Sequence, residues 1–169
     1  FPDVMQPEQG TSCNDRILRC ILIENFKDAI AEYQKRLGRY SKLSILEVAD
    51  EKTIEGASEA LERQIKDKEG ERLLKVLKDD SYVVALAIDG KKYDSVGLAK
   101  QLETLAVEGK SHLQFVIGGS LGLSEQVLKR ADLKLSFSDL TFPHQLMRVI
   151  LLEQIYRSYR IINKEPYHK

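Results

Sequence analysis

The sequence predicts an α/β protein whose mainly parallel sheet is covered by helices on both faces. Short apolar segments alternate along the chain with longer segments in which the apolar residues recur at helical spacing. Several of the short segments, most clearly residues 82–88, are apolar throughout, which is typical of parallel strands buried on both faces. With 169 residues, 43% of them hydrophobic, the chain is expected to form a single domain, 1–169, with a substantial core.

Five strands are predicted from the apolar and alternating runs. Turn-forming residues interrupt these runs, and Asp89-Gly90 is expected to end the third strand. Residues 1–15 show no periodicity and are expected to be irregular. The strands are predicted at residues 17–23, 42–48, 82–88, 113–117 and 133–137.

Five helices alternate with these strands. Asn25, Ser95 and Ser124 can each cap a helix start, and Pro143 suits a first helical position because its missing N–H costs nothing there. Gly70 lies inside the second helix, at a cost of about 1 kcal/mol relative to alanine. The helices are predicted at residues 25–37, 58–78, 95–107, 124–131 and 143–162.

The last predicted helix, residues 143–162, is apolar on nearly every face. Such a helix must be covered on more than one side. Two explanations remain equally open: the helix forms a subunit interface, or it is a central helix buried within one subunit.

The composition excludes several classes of protein. With 26 basic and 26 acidic residues, the chain is not expected to coat nucleic acid non-specifically. No apolar run is long enough to span a membrane, and the first ten residues lack the basic start and apolar core of a secretory signal. Cys13 and Cys20 match no metal or redox spacing, so a cytoplasmic location is expected.

Neither a metal site nor a covalent nucleophile is predicted. His112, His144 and His168 do not form a pair with metal-ligand spacing. No serine or cysteine stands in a pattern typical of a catalytic nucleophile.

A ligand site is expected at the carboxyl edge of the sheet, where parallel α/β proteins bind their ligands. Three connections fall there: residues 89–90, 118–122 and 138–142. Glycines in the middle connection would allow a ligand to approach bare backbone, although a simple tight turn is an equally good explanation. The dinucleotide-binding fingerprint and the Walker lysine are both absent, which argues against a nucleotide-phosphate site.

Three motifs resemble a known family. They are FVIGGSLGL at 115–123, LSFSDLTFPHQLMRVILLEQIYR at 135–157 and EPYHK at 165–169, with further matches at 31–40 and 68–77. These segments are similar to the RlmH family, formerly called YbeA, of small bacterial methyltransferases of the SPOUT class. The resemblance extends from about residue 29 to 169 and is highly specific.

The resemblance implies an S-adenosylmethionine-dependent enzyme that methylates N3 of the pseudouridine at position 1915 of 23S rRNA in the ribosome. It also implies a SPOUT-type fold with a C-terminal trefoil knot, and a homodimer. A target base in a loop of an assembled ribosome needs no large RNA-binding surface on the enzyme, which is compatible with the zero net charge. A non-catalytic ribosome-binding module with the same fold remains the alternative.

The resemblance also implies site residues. For the catalytic step, Tyr167 and His168 would meet the target base, and Arg148 and Arg157 would bind a phosphate or the carboxylate of the chain end. From spacing alone, Arg157 forms a stabilising pair with Glu153. The residues implied for cofactor binding are Leu86, Gly118, Gly119, Phe137, Ser138, Asp139, Leu140, Thr141 and Phe142.

The N-terminal part, residues 1–25, departs from the family pattern. Family members begin with a strand near the initiating Met, followed by a Val-Gly pair and a lysine-rich turn. Here both features are missing and the chain begins with Phe1. We expect either a diverged N-terminus or a stretch before Phe26 that is an artefact.

Overall fold

Strands and helices alternate along the part of the chain that the computed structural model describes, residues 17–20 and 26–167. All ten predicted elements are present, most with bounds within three residues of those expected. They are β1 (Ile17–Cys20), α1 (Lys27–Leu37), β2 (Lys42–Ile45), α2 (Glu59–Val76), β3 (Tyr82–Lys92), α3 (Ser95–Val107), β4 (His112–Val116), α4 (Glu125–Arg130), β5 (Leu133–Ser136) and α5 (His144–Ile162).

The five strands form one parallel sheet in the order β2-β1-β4-β3-β5. The central strand, β4, is held in register with β3 by pairs such as Val84 with Phe115. The predicted parallel sheet is therefore confirmed. The trefoil knot stays a prediction.

Helices cover both faces of the sheet, as predicted. Alternate residues of β3 point to opposite sides: Val84 belongs to the core beneath α1, α3 and α5, and Val83 to the core beneath α2 and α4. Both side chains are fully buried. This two-sided burial explains why the strand reads as continuously apolar in the sequence.

Helix α5 is buried on one side within the subunit. Leu151, Leu152 and Ile155 are inaccessible to solvent in the core that α5 shares with α1 and α3. Leu146 and Ile150, four residues apart on the helix, stay half-buried and outside that core. The explanation as a central helix is thus confirmed for one side, and the interface on the other side stays a prediction.

The predicted end of the third strand is wrong. β3 continues through Gly90 to Lys92, with a shift of register in which both Leu86 and Lys91 pair with Leu135. The residues between them bulge away, and Gly90 is needed because a Cβ there would lie 2.8 Å from the backbone of β5. Asp89-Gly90 resembles a turn in sequence because a bulge uses the same residue types.

Two helix starts also differ from the prediction. Asp94, not Ser95, caps α3, and its Oδ1 accepts a hydrogen bond of 2.6 Å from the backbone N–H of Gly97. Pro143 precedes α5 rather than opening it, since its ψ of 134° is extended. The caps Ser58 and Ser124 accept hydrogen bonds from the third residue that follows each of them.

Gly70 has a packing role that the sequence did not reveal. A Cβ at this position of α2 would lie 2.1 Å from Oγ of Ser124, at the start of α4. The glycine therefore lets the two helices of this face approach closely, which offsets its unfavourable helix propensity. The predicted cap Asn25 and residues 21–23 of the first predicted strand lie outside the described residues.

Candidate functional site

A cleft of about 580 Å³ lies at the carboxyl edge of the sheet, where the sequence predicted a ligand site. Its lining comes from the ends of β3, β4 and β5 and from the start of α5, as follows: residues 86–88, 117–122, 135–138, 140–144 and Met147. The volume is within the range of small-molecule sites. The bulge of β3 contributes Ala87 and Ile88, in place of the turn expected at residues 89–90.

Eight of the nine residues predicted for cofactor binding lie on this cleft. Asp139 does not line it, and its carboxylate, 81% exposed, forms an ion pair with Lys92. The structure thus brings the predicted loops together around one space, and their contact with a cofactor stays a prediction. The eight residues are Leu86, Gly118, Gly119, Phe137, Ser138, Leu140, Thr141 and Phe142.

The glycine connection is both a tight turn and a wall of the cleft. The backbone N–H of Gly122 donates to the carbonyl of Gly119 over 3.1 Å, and Gly122 has a φ of +86°. A Cβ on Gly118 would lie 2.6 Å from the carbonyl carbon of Gly122. Because only glycine fits at Gly118, bare backbone faces the space where a ligand would lie.

The loop after β5 keeps its shape through short-range hydrogen bonds. The Ser136 hydroxyl donates to the carbonyl of Ser138 over 3.1 Å, and Oγ of Ser138 accepts from the N–H of Leu140 over 3.0 Å. Such bonds to nearby backbone are typical of serine in a turn. They stabilise the part of the loop that lines the cleft.

The cleft is apolar and nearly uncharged. Among the described residues that line it there is no Asp, Glu, Lys or Arg, and His144 is the only titratable histidine. Burial lowers the pKa of His144, so its imidazole is neutral at physiological pH. A cleft of this kind fits an adenine-sized group held by apolar walls and backbone hydrogen bonds, and it lacks the cations that bind a triphosphate.

A small cavity of about 30 Å³ lies behind the glycine turn. Its lining includes Asp50, Glu69, His144 and Arg148. Burial, together with the nearby Asp50 carboxylate, raises the pKa of Glu69 to about 7, and one Glu69 oxygen accepts the N–H of Glu51 over 3.0 Å. Behind the glycine turn that lines the neutral cleft there is therefore a carboxyl group, that of Glu69, with a pKa near physiological pH.

Arg148 is buried in an ion pair within the subunit. Its side chain is 2% exposed, and Nη2 lies 2.7 Å from Oε1 of Glu47, which is 8% exposed. Within the subunit, non-local packing has thus given the guanidinium a buried carboxylate partner. The predicted contact of Arg148 with a phosphate or with the carboxylate of the chain end stays a prediction.

Arg157 and Tyr167 lie together at the other end of α5. The guanidinium of Arg157 stands 4.7 Å from the centre of the Tyr167 ring and pairs with Glu153, as its spacing predicted. The Tyr167 hydroxyl donates to the same Glu153 carboxylate over 3.2 Å. Burial and the charge of Glu153 raise the pKa of Tyr167 to about 12, so the phenol stays protonated. His168 lies outside the described residues.

The cleft and this chain end are far apart within one subunit. His144 lies on the cleft and Arg157 follows it by thirteen residues in the same helix, a separation of about 20 Å at 1.5 Å per residue. Within one subunit, Arg157 and Tyr167 are therefore separated from the predicted cofactor residues.

Comparison with known proteins identifies the family. The family model described as "Predicted SPOUT methyltransferase" matches residues 21–168. The chain belongs to this family. A relative of this SPOUT methyltransferase, named ribosomal RNA large subunit methyltransferase H in Bifidobacterium adolescentis, is 66% identical over 143 residues. The protein of the same name from Bifidobacterium animalis subsp. lactis is 62% identical over 143 residues, and each match covers 85% of this chain and 90% of the relative.

These matches confirm the resemblance and its main consequence. The chain is a methyltransferase, and it therefore needs a methyl donor. Across residues 17–20 and 26–167, no group of three or more His, Cys, Asp or Glu could hold a metal ion. None of the helices in the same ranges is long and apolar enough to cross a membrane.

The sequence missed several residues on the cleft of this SPOUT methyltransferase. Ile117 ends the apolar run of β4 just before the glycine turn, and its position at the carboxyl edge was a usable signal. His144 and Met147 are three apart on the first turn of α5, so they share one face that follows directly after the loop. Leu135 carried no such signal.

Proposed function

We propose that this methyltransferase transfers the methyl group of S-adenosylmethionine to N3 of the pseudouridine at position 1915 of 23S rRNA, within ribosomes of the cytoplasm. The observation that carries the proposal is 66% and 62% identity to proteins named ribosomal RNA large subunit methyltransferase H, over 90% of their length. The cleft at the carboxyl edge of the sheet supports it by supplying a suitable cofactor site.

The proposed cofactor site uses apolar walls and backbone groups. The side chains of Leu86 and Ile117 would flank the adenine, and the turn at Gly118 would offer main-chain donors and acceptors to its edge. When bound, S-adenosylmethionine supplies an electrophilic methyl group on a sulfonium. A cleft without charged side chains is compatible with this cationic centre, since no lysine or arginine repels it.

A homodimer would bring the two separated regions together. The side of α5 that faces away from the core carries Leu146 and Ile150 near the cleft, and Glu153 and Arg157 near the chain end. If two copies of this side packed against each other in antiparallel fashion, the chain end of one subunit would meet the cleft of the other. The 20 Å separation, which one subunit cannot bridge, supports this arrangement.

In the proposed dimer, the chain end of one subunit binds the target base beside the cleft of the other. The protonated Tyr167 hydroxyl would donate a hydrogen bond to a carbonyl of the base, and the positive charge of Arg157 would stabilise the negative charge that develops as N3 loses its proton. His168 would accept that proton.

The proposal is tested by calorimetric titration with S-adenosylmethionine and by methyl transfer to ribosomes that lack the modification. Saturable binding at one site per subunit, followed by transfer, is expected. Substitution His168→Ala should abolish transfer and leave cofactor affinity unchanged. His112→Ala, at the opposite end of the sheet from the cleft, is the matched control and should remain active.

Two results would contradict the proposal. Full transfer by His168→Ala would remove the chain end from the mechanism. Ribosome association without cofactor binding would favour the non-catalytic binding module.

A further inference from the structure

Residues 165–167 are folded back onto α5 by a left-handed turn. Lys164 has a φ of +54°, the only positive φ of a non-glycine residue in the described ranges. The N–H of Lys164 donates to the carbonyl of Ile161 over 3.0 Å, and the N–H of Glu165 to that of Arg160 over 2.8 Å. Glycine or asparagine usually occupies this position at a helix end, so a lysine is held here against its own preference.

Side chains from another part of the fold hold this turn in place. The Glu165 carboxylate accepts a hydrogen bond of 2.5 Å from the hydroxyl of Tyr40, which lies in the connection between α1 and β2. It also pairs with Arg160 of α5 and lies 3.5 Å from Nη2 of Arg39. The Tyr40 hydrogen bond and these two cations lower the pKa of Glu165, so the carboxylate is ionised at neutral pH.

Arg160 links the parts of this arrangement. Besides Glu165, its guanidinium donates to the Tyr40 hydroxyl over 3.3 Å and to the backbone carbonyl of Pro166 over 3.2 Å. We call Tyr40, Arg160 and Glu165 the tail clamp. Tyr40 is a rigid anchor for it, because its ring is buried and stacks on Tyr159 with 5.4 Å between ring centres.

The tail clamp determines where the next residues lie. Directly after Pro166, the Tyr167 ring packs edge-on against Tyr156, with 5.0 Å between the centres, and beside Arg157. Chain ends are ordinarily frayed unless something ties them down. Here a left-handed conformation at Lys164 and a hydrogen-bond partner 125 residues away in sequence both fix residues 165–167 at the surface.

We propose that Tyr40, Arg160 and Glu165 are positioning residues for methyl transfer, which hold the chain end in the conformation that presents Tyr167 to the target base. This inference rests on the proposed function, because it takes the chain end to act on the base. Without the clamp, the tail would sample many conformations, and a reacting group misplaced by about 1 Å can lower the rate roughly 100-fold.

The test measures turnover separately from binding. In the full-length protein, Glu165→Gln removes the charge and Tyr40→Phe removes the hydroxyl, and each should lower kcat roughly 10- to 100-fold. The dissociation constant for S-adenosylmethionine, the KM for ribosomes and the thermal midpoint should stay unchanged. Because both substitutions weaken the contact between Tyr40 and Glu165, the double variant should be no slower than the slower single variant.

A second pair of variants tests the backbone turn without touching the charged groups of the tail clamp, Arg160 and Glu165. Lys164→Gly accepts a φ of +54° freely and should keep full turnover, whereas Lys164→Val resists it and should lower kcat like Glu165→Gln. Lys164 is exposed, so these variants decide the question even if Tyr40→Phe destabilises the subunit. The control is Glu32→Gln, which breaks an exposed ion pair of α1 with Arg36 and should change nothing.

The possible failures are distinguishable. If His168→Ala is inactive while Glu165→Gln and Lys164→Val keep full kcat, the clamp does not position the tail and the proposed function stands. If His168→Ala keeps full activity, the proposed function fails at the chain end. If Glu165→Gln and Lys164→Val both lowered the thermal midpoint together with kcat, the clamp would only stabilise the fold.

Discussion

The cleft and the chain end are built from different kinds of contact. The cleft is a space between apolar side chains and bare glycine backbone, with no Asp, Glu, Lys or Arg among the described residues that line it. The chain end is held by hydrogen bonds between charged and aromatic side chains, such as those of Tyr40, Arg160 and Glu165. A backbone wall cannot be altered without changing its shape, whereas a side-chain contact can be removed singly. We therefore expect substitutions in the cleft to change cofactor affinity and substitutions at the chain end to change turnover.

Arg148 lies on α5 between the two regions and gives the largest expected effect. Arg148→Ala would remove a buried ion-pair partner of the Glu47 carboxylate, and loss of one partner of a buried pair costs about 3–5 kcal/mol. The free energy of unfolding, measured with denaturant, should fall by about this amount. Removing both charges with Arg148→Met and Glu47→Leu should recover most of it. If Arg148→Ala kept its stability and lost only turnover, Arg148 would belong with the chain end after all.

Gly118 tests the cleft itself. In Gly118→Ala, the new methyl group would meet the carbonyl carbon of Gly122 at 2.6 Å, and backbone on both sides of a tight turn cannot give way cheaply. We expect cofactor affinity to fall roughly 100-fold, equivalent to about 2.7 kcal/mol, by calorimetry.

The control for that variant is Gly38→Ala, where a Cβ would make only ordinary contacts of 3.4 and 3.5 Å at the end of α1. It should bind the cofactor normally. An unchanged affinity in Gly118→Ala would show that this turn does not shape the cofactor site.

The same difference explains how much of each region the sequence could predict. Cleft residues such as Leu86 and Gly118 follow apolar strands, and their place at the carboxyl edge depends only on strand order and direction, which local patterns indicate. The bulge of β3 was not predicted, because a residue pair such as Asp89-Gly90 is common both in bulges and in turns.

Contacts between distant residues carried no local signal at all. Glu47 and Arg148 are 101 residues apart, and Tyr40 and Glu165 are 125 apart. Spacing rules reach only the neighbouring turn of a helix, so they gave the Glu153–Arg157 pair and offered no partner for Arg148. The ion pair of Arg148 with Glu47 became visible only in the three-dimensional structure.

The Glu69 carboxyl group behind the cleft should make the stability of the protein depend on pH. The pKa of Glu69 is about 7 in the folded protein and ordinarily 4.5, so between these values the folded state binds more protons than the unfolded state. The contribution of protonated Glu69 to the stability of the folded state is therefore fully present below about pH 4.5 and is lost as the pH rises through 7. Glu69→Gln should remove this dependence of stability on pH. At pH 8 the variant should be more stable than the parent by about 1–2 kcal/mol, a value that already allows for solvent screening. At pH 4 the two proteins should differ little.

Thermal unfolding as a function of pH measures this effect. Glu71→Gln, an exposed neighbour on the same helix, is the control and should keep the pH dependence of the parent. A Glu69→Gln variant that stayed parallel to the parent at every pH would show that Glu69 does not titrate in this range.

Substitution of Asp139 gives the smallest expected effect. Compared with Ser138→Ala, it distinguishes the contribution of the loop's charge to cofactor binding from that of the loop's backbone conformation. Its carboxylate is exposed and pairs with Lys92 rather than lining the cleft. Exposed pairs contribute about 0–1 kcal/mol, so Asp139→Asn should change cofactor affinity less than about twofold. Ser138→Ala removes the acceptor of the Leu140 N–H, a bond worth about 1 kcal/mol, and should weaken binding roughly fivefold. If Asp139→Asn proved the weaker binder, the loop would contact the cofactor through its carboxylate, and the cleft would not be the uncharged site described above.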